Sequence, residues 1–292
     1  MKKLFIGLFT VMLAVSFIAC KPSSGTDDNS TTDQTSSGGD SNSNGGNQNP
    51  APTYIGTKAP TEAKAVGDIV FTDGSATAYT TELTLTDAQK ATAIAVIYKV
   101  DGTKPYGVGL VHNRDGLAWC SNSASAYNQN ISDIQCKPDD GGSEGNYTFA
   151  NATDKDGSNN FEQIKSYLIS MAENFITDDT PGEGAADRYP AFYFAKNYKD
   201  QTNSHENGTD YEDGWYLPTL AELFDVWKEK ETVDAVSALC GGSEFDDSEY
   251  WSSSQDASLK SNAYRLDFDS GEYYCVNKKN DEDYVCCIRA FN

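Results

Sequence analysis

The chain has 292 residues, with 44 Asp and Glu against 22 Lys and Arg, so its formal net charge is −22. A surface of that charge repels phosphate groups, which makes nucleic acid and anionic lipid headgroups poor partners. Seven Cys and two His without a Cys-x-x-Cys spacing argue against a zinc site, and the sequence predicts no metal and no cofactor.

The sequence pattern of residues 1–19 predicts a secretion signal. Two lysines precede an apolar run over residues 4–18 that is too short for a membrane-spanning helix. The run ends in residues 17–20, which resemble a bacterial lipobox, so Cys20 is the predicted lipidated residue. An ordinary small-residue cleavage site is the alternative. A diacylated Cys20 would anchor the protein to a bacterial membrane, and we expect it at the outer membrane or cell surface.

A tether and one folded domain follow Cys20. Residues 21–52 are rich in Ser, Gly, Asn, Asp and Thr and carry no apolar residue that could seed a core, so they predict a disordered tether. Residues 53–292 show neither an internal repeat nor a second linker. They predict one domain.

The first half of this domain mixes short strands and helices. Residues 67–75 predict a strand that ends in an Asp-Gly turn, and Thr86 opens a capping-box pattern for a short helix. Residues 94–100 and 106–111, joined through Asp101 and Gly102, predict a β-hairpin.

The middle of the domain carries the clearest helical signals. Apolar residues at helical spacing from Phe161 to Phe175 predict an amphipathic helix, and the aromatic residues 189–198 predict a short helix or a strand. Thr219 opens a second capping box before a helix with an apolar face. Residues 233–239 predict a further helix, ended by the glycines at 241–242.

The end of the chain predicts an antiparallel sheet of four strands over residues 250–252, 263–268, 273–277 and 284–291. Apolar and charged residues alternate along the second of these strands, so one face packs and the other meets water. Helices early and in the middle with a sheet at the end predict an α+β fold.

Framework blocks of aromatic, glycine and serine residues occur in a fixed order. They are residues 67–71, 116–120, 189–196, 214–219, 221–223, 239–242, 250–254, 271, 284–286 and 288–291. In this order they resemble a C-type-lectin-like domain, in the branch that includes formylglycine-generating enzymes and the C-terminal domains of bacterial collagen-like adhesins. Within this branch, the blocks are similar to treponemal variable lipoproteins diversified by a retroelement. The resemblance covers about residues 66–292.

The resemblance implies a diversified binding protein. In such proteins a retroelement rewrites adenine-bearing codons of a C-terminal region, here about residues 244–292, while the framework stays constant. The implied framework residues are Trp251, Ser252, Ser253, Ala263, Leu266, Phe268, Gly271, Tyr284, Val285, Cys286, Ile288 and Arg289.

The resemblance also implies which positions change and contact a ligand. They are Asp246, Asp247, Glu249, Asp256, Leu259, Lys260, Arg265, Asp267, Asp269, Glu272, Tyr273, Tyr274, Cys275, Asn277, Asp281, Glu282 and Cys287. We expect the ligand to be a protein or glycan at the cell surface, with the membrane contacted through the lipid. Tyr273 and Tyr274 would offer contact area at low entropic cost. An ordinary solvated sheet face is the alternative.

Other functions are less well supported. A formylglycine-type oxidase needs two cysteines over one cleft, but adjacent residues such as Cys286 and Cys287 point to opposite faces of a strand. His112 and His205 accompany no Gly-x-Ser-x-Gly motif, so we predict no catalytic residue and no enzyme. An adhesion lipoprotein with a fixed ligand remains open. Residues 154–159 begin like a calcium loop but lack its later Gly and Glu, so structural calcium is the lesser alternative.

The cysteines predict two disulfides in an exported protein. Cys240 and Cys286 lie in blocks shared with the family, which implies that they pair with each other. We also expect Cys120 to pair with Cys136. Buried free thiols are the alternative for all of them.

Overall fold

The computed structural model describes residues 53–139, 146–149, 155–171 and 185–291. The predicted signal, the lipidated Cys20 and the tether lie outside these residues. Phe175, at the end of the predicted amphipathic helix, also lies outside them. Within this part of the chain we find a mixed α+β structure of ten β-strands and six α-helices.

The elements follow one another along the whole described chain. The strands are β1 (Ile69–Phe71), β2 (Ala76–Thr77), β3 (Ala93–Asp101), β4 (Lys104–Gly109), β5 (Asn113–Leu117), β6 (Glu249–Gln255), β7 (Asn262–Asp267), β8 (Tyr273–Asn277), β9 (Asp283–Val285) and β10 (Ile288–Ala290). The helices are α1 (Asp87–Lys90), α2 (Asn160–Met171), α3 (Ala185–Arg188), α4 (Pro190–Lys196), α5 (Leu220–Lys228) and α6 (Lys230–Cys240). None of the helices in the described residues is both long enough and apolar enough to span a bilayer.

The strands form two five-stranded sheets. The first has the order β10-β4-β3-β1-β2, and all its neighbours are antiparallel. The second has the order β5-β9-β6-β7-β8, in which β6 and β9 run parallel and the other neighbours antiparallel. The α+β class predicted from the sequence is confirmed.

The local signals that the sequence carries are realised. Both predicted capping boxes form, because Thr86 accepts a hydrogen bond from the Gln89 amide and Thr219 accepts one from the Glu222 amide. Gly241 ends α6 in the left-handed region at φ 81°. The predicted β3–β4 hairpin forms as well.

The last strand differs from its prediction. Residues 284–291 do not form one strand but break at Cys286 and Cys287. β9 belongs to the second sheet and β10 to the first. Side chains on the two sides of the break enter different parts of the core. The sequence shows one apolar run there and does not reveal the change of sheet.

One further strand is not predicted from the sequence, and one segment predicted as a helix or a strand is a helix. β5 is not predicted, because its charged residues Arg114 and Asp115 show no apolar alternation. Residues 189–198 contain the helix α4, which begins at Pro190, a residue suited to a first helical position.

Two buried clusters make up the core, and β6 runs between them. The first core cluster contains Trp119, Trp215 and Trp251. The second core cluster contains Tyr250 and Phe268. Tyr250 and Trp251 are neighbours on β6 and enter different clusters, as side chains that alternate along a strand must do.

Polar residues continue β6 through the interior. Ser252, Ser253, Ser254 and Gln255 are all completely buried. A buried polar side chain is costly unless it is hydrogen-bonded. Each of these four is bonded, and their partners tie β6 to much of the domain.

The hydrogen bonds of β6 reach several elements. The Ser252 hydroxyl donates to the Tyr264 carbonyl on β7 at 2.7 Å. The Asn160 side-chain amide at the start of α2 donates to Ser253 Oγ at 2.7 Å, and the Leu220 backbone amide at the start of α5 donates to Ser254 Oγ at 2.9 Å. β6 therefore positions β7 and the first residues of two helices.

The turn between β7 and β8 depends on a glycine under a tryptophan of α5. Gly271 has φ +73°, and a Cβ atom there would overlap the six-membered ring of Trp227. Trp227 donates its indole hydrogen to the Phe268 carbonyl at 3.3 Å, which holds the ring over the turn.

Gly271→Ala is therefore expected to lower the free energy of unfolding by about 3 kcal/mol, from left-handed strain together with overpacking. Gly102→Ala is the matched control, because Gly102 has φ +62° but no atom within 4 Å of the position that a Cβ would take. It should cost only about 1 kcal/mol. Urea unfolding of both variants measures the difference, and equal costs would contradict the close approach of Trp227.

Candidate ligand-binding surface

The register of β6, β7 and β8 places several predicted site residues on one side of the sheet. Glu249 on β6 lies opposite Asp267 on β7, and Arg265 on β7 lies opposite Tyr274 on β8. Glu272 follows the turn and bonds to Tyr274, whose hydroxyl donates to Glu272 Oε2 at 2.7 Å. We call these five residues the outer face.

Arg265 lies at the centre of the outer face. Its Nη2 is 3.3 Å from Glu249 Oε1, and its Nη1 is 2.8 Å from Asp283 Oδ1 and 3.8 Å from Asp281 Oδ1. The guanidinium carbon is 5.7 Å from the centre of the Tyr274 ring. One guanidinium group thus faces three carboxylates, so the net charge of these four side chains is negative.

Asp283 is a site residue that the sequence did not predict. It follows Asp281 and Glu282 in an acidic run, and only the pairing of β9 shows that its carboxylate turns toward Arg265. Its side chain is 6% exposed, and burial raises its pKa to about 7 although the Arg265 charge acts in the opposite direction. Within the described residues, Asp283 Oδ2 and Arg265 Nε have no hydrogen-bond partner.

The hairpin between β6 and β7 extends the surface. Asp256 accepts hydrogen bonds from the amides of Ser258 at 2.8 Å and Leu259 at 2.6 Å, and from the Tyr264 hydroxyl. It shapes the hairpin from within. Leu259 is 55% exposed and Lys260 is also exposed, so these two residues form its accessible tip.

Asp246 and Asp247 precede β6 and have basic neighbours. Asp246 Oδ2 is 3.0 Å from Arg114 Nε, and Asp247 Oδ1 is 3.9 Å from Lys230 Nζ. These contacts join the two aspartates to β5 and α6. Within the described residues, neither aspartate forms an ion pair with Arg265.

The remaining predicted positions lie in turns or at the end of β8. Asp269 is exposed in the β7–β8 turn, and its amide donates to Asp267 Oδ1 at 2.9 Å. Glu282 is exposed before β9. Asn277 ends β8 and donates to the Tyr127 hydroxyl at 3.2 Å.

Three of the predicted positions turn inward. Tyr273 and Cys275 project from the face of β8 opposite Tyr274, toward the second core cluster. The Tyr273 ring packs edge-on against Tyr147 at 4.9 Å. Cys287 is completely buried, so its prediction as a surface position is wrong. The doublet 273–274 therefore offers one outward aromatic ring, Tyr274.

Neither predicted disulfide forms. Cys240 and Cys286 are free thiols, and no disulfide links Cys120 to Cys136. Cys120 packs in the first core cluster and Cys136 in the second, which explains why the sequence pairing fails. Burial raises the pKa of the Cys240 thiol to about 12, so it stays protonated.

No group of three or more His, Cys, Asp or Glu in the described residues is arranged to hold a metal ion. Asp154, the first residue of the calcium-like segment, lies outside them. The carboxylates of Glu249, Asp281 and Asp283 form ion pairs with the Arg265 guanidinium. Chemically, this arrangement suits recognition through charge and hydrogen bonds.

Comparison with protein-family models and with curated proteins gives no match. Among solved structures, the chain is similar to a fimbrial protein from Bacteroides ovatus ATCC 8483, with 17% sequence identity and a TM-score of 0.48. The similarity covers 77% of this chain and 48% of the fimbrial protein, so the chain spans about half of that protein's length.

The pKa of Asp283 predicts a pH dependence. A carboxyl group with a raised pKa keeps its proton in the folded state at pH values where the unfolded chain has released it. Its contribution to stability is therefore complete at low pH and is lost as the pH rises from the ordinary pKa of 3.8 to about 7.

Asp283→Asn should remove this dependence. Between pH 4 and 7, the unfolding free energy of the wild type should fall relative to the variant by up to about 1.4 kcal/mol per pH unit. Urea unfolding across that range measures it. Parallel curves for the two proteins would show that Asp283 does not carry a raised pKa.

Proposed function

We propose that the protein is a lipid-anchored binding protein of the bacterial surface. It has a C-type-lectin-like fold and recognises a protein or glycan ligand through the outer face and the adjoining hairpin tips. The observation that carries this proposal is how burial divides residues 246–291. All the implied framework residues except the half-buried Tyr284 and Arg289 are buried. Among the implied changeable residues only Cys287 is buried, and Tyr273 and Cys275 pack inward.

The chemistry of the outer face supports recognition. Tyr274 offers a ring that is 38% exposed beside the Arg265 guanidinium, with the carboxylates of Glu249 and Glu272 close by. Tyrosine and arginine are frequent among the residues that contribute most to binding energy. Because both residues lie on paired strands, little conformational entropy is lost when a ligand binds.

The cysteines favour binding over oxidation chemistry. Cys286 lies in the second core cluster and Cys287 in the first, so their thiols occupy different sides of the chain. Both are completely buried, and burial raises the pKa of each thiol. An oxidase would need an accessible thiolate.

Natural variants of the gene give a direct test. If the surface is diversified, substitutions among isolates should concentrate at positions of the outer face and the hairpin tip, such as Lys260, Arg265, Asp267, Glu272 and Tyr274. They should spare Ser252, Ser253 and Leu266. Sequencing the locus should also find a template repeat and a reverse transcriptase nearby. Substitutions spread evenly over both sets would contradict diversification, and no variation would favour an adhesion lipoprotein with a fixed ligand.

A binding measurement tests the surface itself. The full chain is screened on arrays of extracellular proteins and glycans, and each interaction is measured again with the triple variant Lys260→Ala, Glu272→Ala and Tyr274→Ala. We expect the variant to bind at least about tenfold more weakly, because exposed residues at the centre of a contact dominate affinity.

The control for this measurement is Asp101→Ala with Lys104→Ala, at the exposed turn between β3 and β4 in the other sheet. It should bind like the wild type, and both variants should keep the unfolding midpoint of the wild type. An interaction lost with the control but retained by the triple variant would place recognition elsewhere.

A further inference from the structure

A concave site is formed by residues that do not belong to the outer face. Its walls come from the beginning of α2, from α4 and from the extended segment before α5, and its volume is about 120 Å³. The lining residues are Gly157, Ser158, Phe161, Glu162, Phe192, Lys196, Gly214, Trp215, Tyr216 and Leu217. We call it the aromatic pocket. It contains none of the residues predicted to contact the ligand.

The walls of the aromatic pocket are held in place from behind. Phe161 and Phe192 stack with ring centres 5.2 Å apart. The Trp215 indole donates to the Tyr211 carbonyl at 2.9 Å, and the Tyr216 hydroxyl donates to Glu222 Oε1 at 2.8 Å. These bonds satisfy the polar atoms of both residues within the protein, which leaves their rings to contribute an apolar lining.

The floor of the pocket is also fixed. The Gly157 amide donates to Glu222 Oε2 at 3.0 Å, and the same oxygen accepts from the Thr219 amide at 2.9 Å. A Cβ atom at residue 157 would lie 3.0 Å from the Leu217 carbonyl oxygen. The two segments that meet there are therefore in close contact, and the pocket is a preformed feature of the fold.

The size and lining of the pocket suit one ring. An apolar cavity of about 150 Å³ accommodates benzene. The aromatic pocket is slightly smaller, but it opens to the surface, so part of a bound molecule would remain outside. A single aromatic ring or a branched aliphatic group of similar size fits this space.

The charge at the pocket's edge selects among such molecules. Lys196 lines the pocket at the last residue of α4 and is exposed. Within the described residues it forms no ion pair, whereas Glu162, the acidic residue of the lining, has Lys165 at 3.8 Å. Of the two charged lining residues, Lys196 is thus the one without an ion-pair partner in the described part of the chain, and the complementary group on a ligand is a carboxylate.

We propose that the aromatic pocket binds a small apolar carboxylate, with its ring or branched chain against Trp215 and the stacked Phe161 and Phe192, and its carboxylate at Lys196. This site does not depend on recognition through the outer face. Free aryl acids and apolar amino acids share the required chemistry, and the ammonium group of an amino acid would come close to Glu162.

Isothermal titration calorimetry of the full chain with phenylacetate tests the proposal. The isosteric neutral phenylacetamide tests the carboxylate, and phenylalanine tests the amino-acid source. We expect phenylacetate to bind one site per chain with a Kd below about 1 mM. Phenylacetamide should bind at least about fivefold more weakly, because it loses the charge-assisted contact. Phenylalanine binding more tightly than phenylacetate would assign the site to amino acids.

Variants locate the site. Lys196→Gln, at an exposed position, should reduce phenylacetate binding to the level of phenylacetamide. The matched control Lys260→Gln removes the same charge from the outer-face hairpin and should leave binding unchanged. Equal affinity for the acid and the amide, equal loss in the two variants, or no saturable binding of phenylacetate would overturn the proposal. None of these results would alter the array measurements on the outer face.

Discussion

The fold depends on a buried polar strand. β6 passes between two core clusters with Ser252, Ser253, Ser254 and Gln255 completely removed from water. Such a strand is stable only if its hydroxyl and amide groups keep their partners, because an unpaired buried polar group costs about 1–3 kcal/mol. β7, α2 and α5 supply the partners of the three serines, and the backbone of Gln129, Ile131 and Lys260 supplies those of Gln255.

This constraint separates the buried interior from the partly exposed outer face. The side of β6 and β7 that carries Tyr250 and Leu266 packs in the second core cluster. On the other side, Trp251 packs in the first core cluster, whereas Glu249, Arg265 and Asp267 are partly exposed. The backbone bonds that hold these residues do not depend on their side chains. Substitutions there can change the chemistry of the surface while the hydrogen bonds of β6 remain.

Local signals in the sequence were sufficient for much of the fold. Capping boxes at Thr86 and Thr219 and the glycine after α6 act within a single turn of helix, so they can be recognised without knowledge of the partners. The alternation of apolar and charged residues on β7 likewise predicted which side of that strand faces water.

Features that depend on distant partners could not be predicted in this way. Asp283 became part of the Arg265 group only through the pairing of β9, and Tyr273 turned inward because β8 sits in one register on β7. Cys287 is buried because the chain changes sheets beside it. The disulfide between Cys240 and Cys286 that the resemblance implied does not form, and the expected pairing of Cys120 with Cys136 fails because the two residues pack in different core clusters.

The independence of the surface from the framework is tested most directly with two libraries of the full chain. One randomises Lys260, Arg265, Asp267, Glu272 and Tyr274 together, and the other randomises Ser252, Ser253, Ser254, Ala263 and Leu266. Protease resistance of each displayed variant measures how many fold. We predict that most members of the first library stay resistant and that few of the second do. Similar resistant fractions in the two libraries would contradict a surface that varies independently of the buried strand.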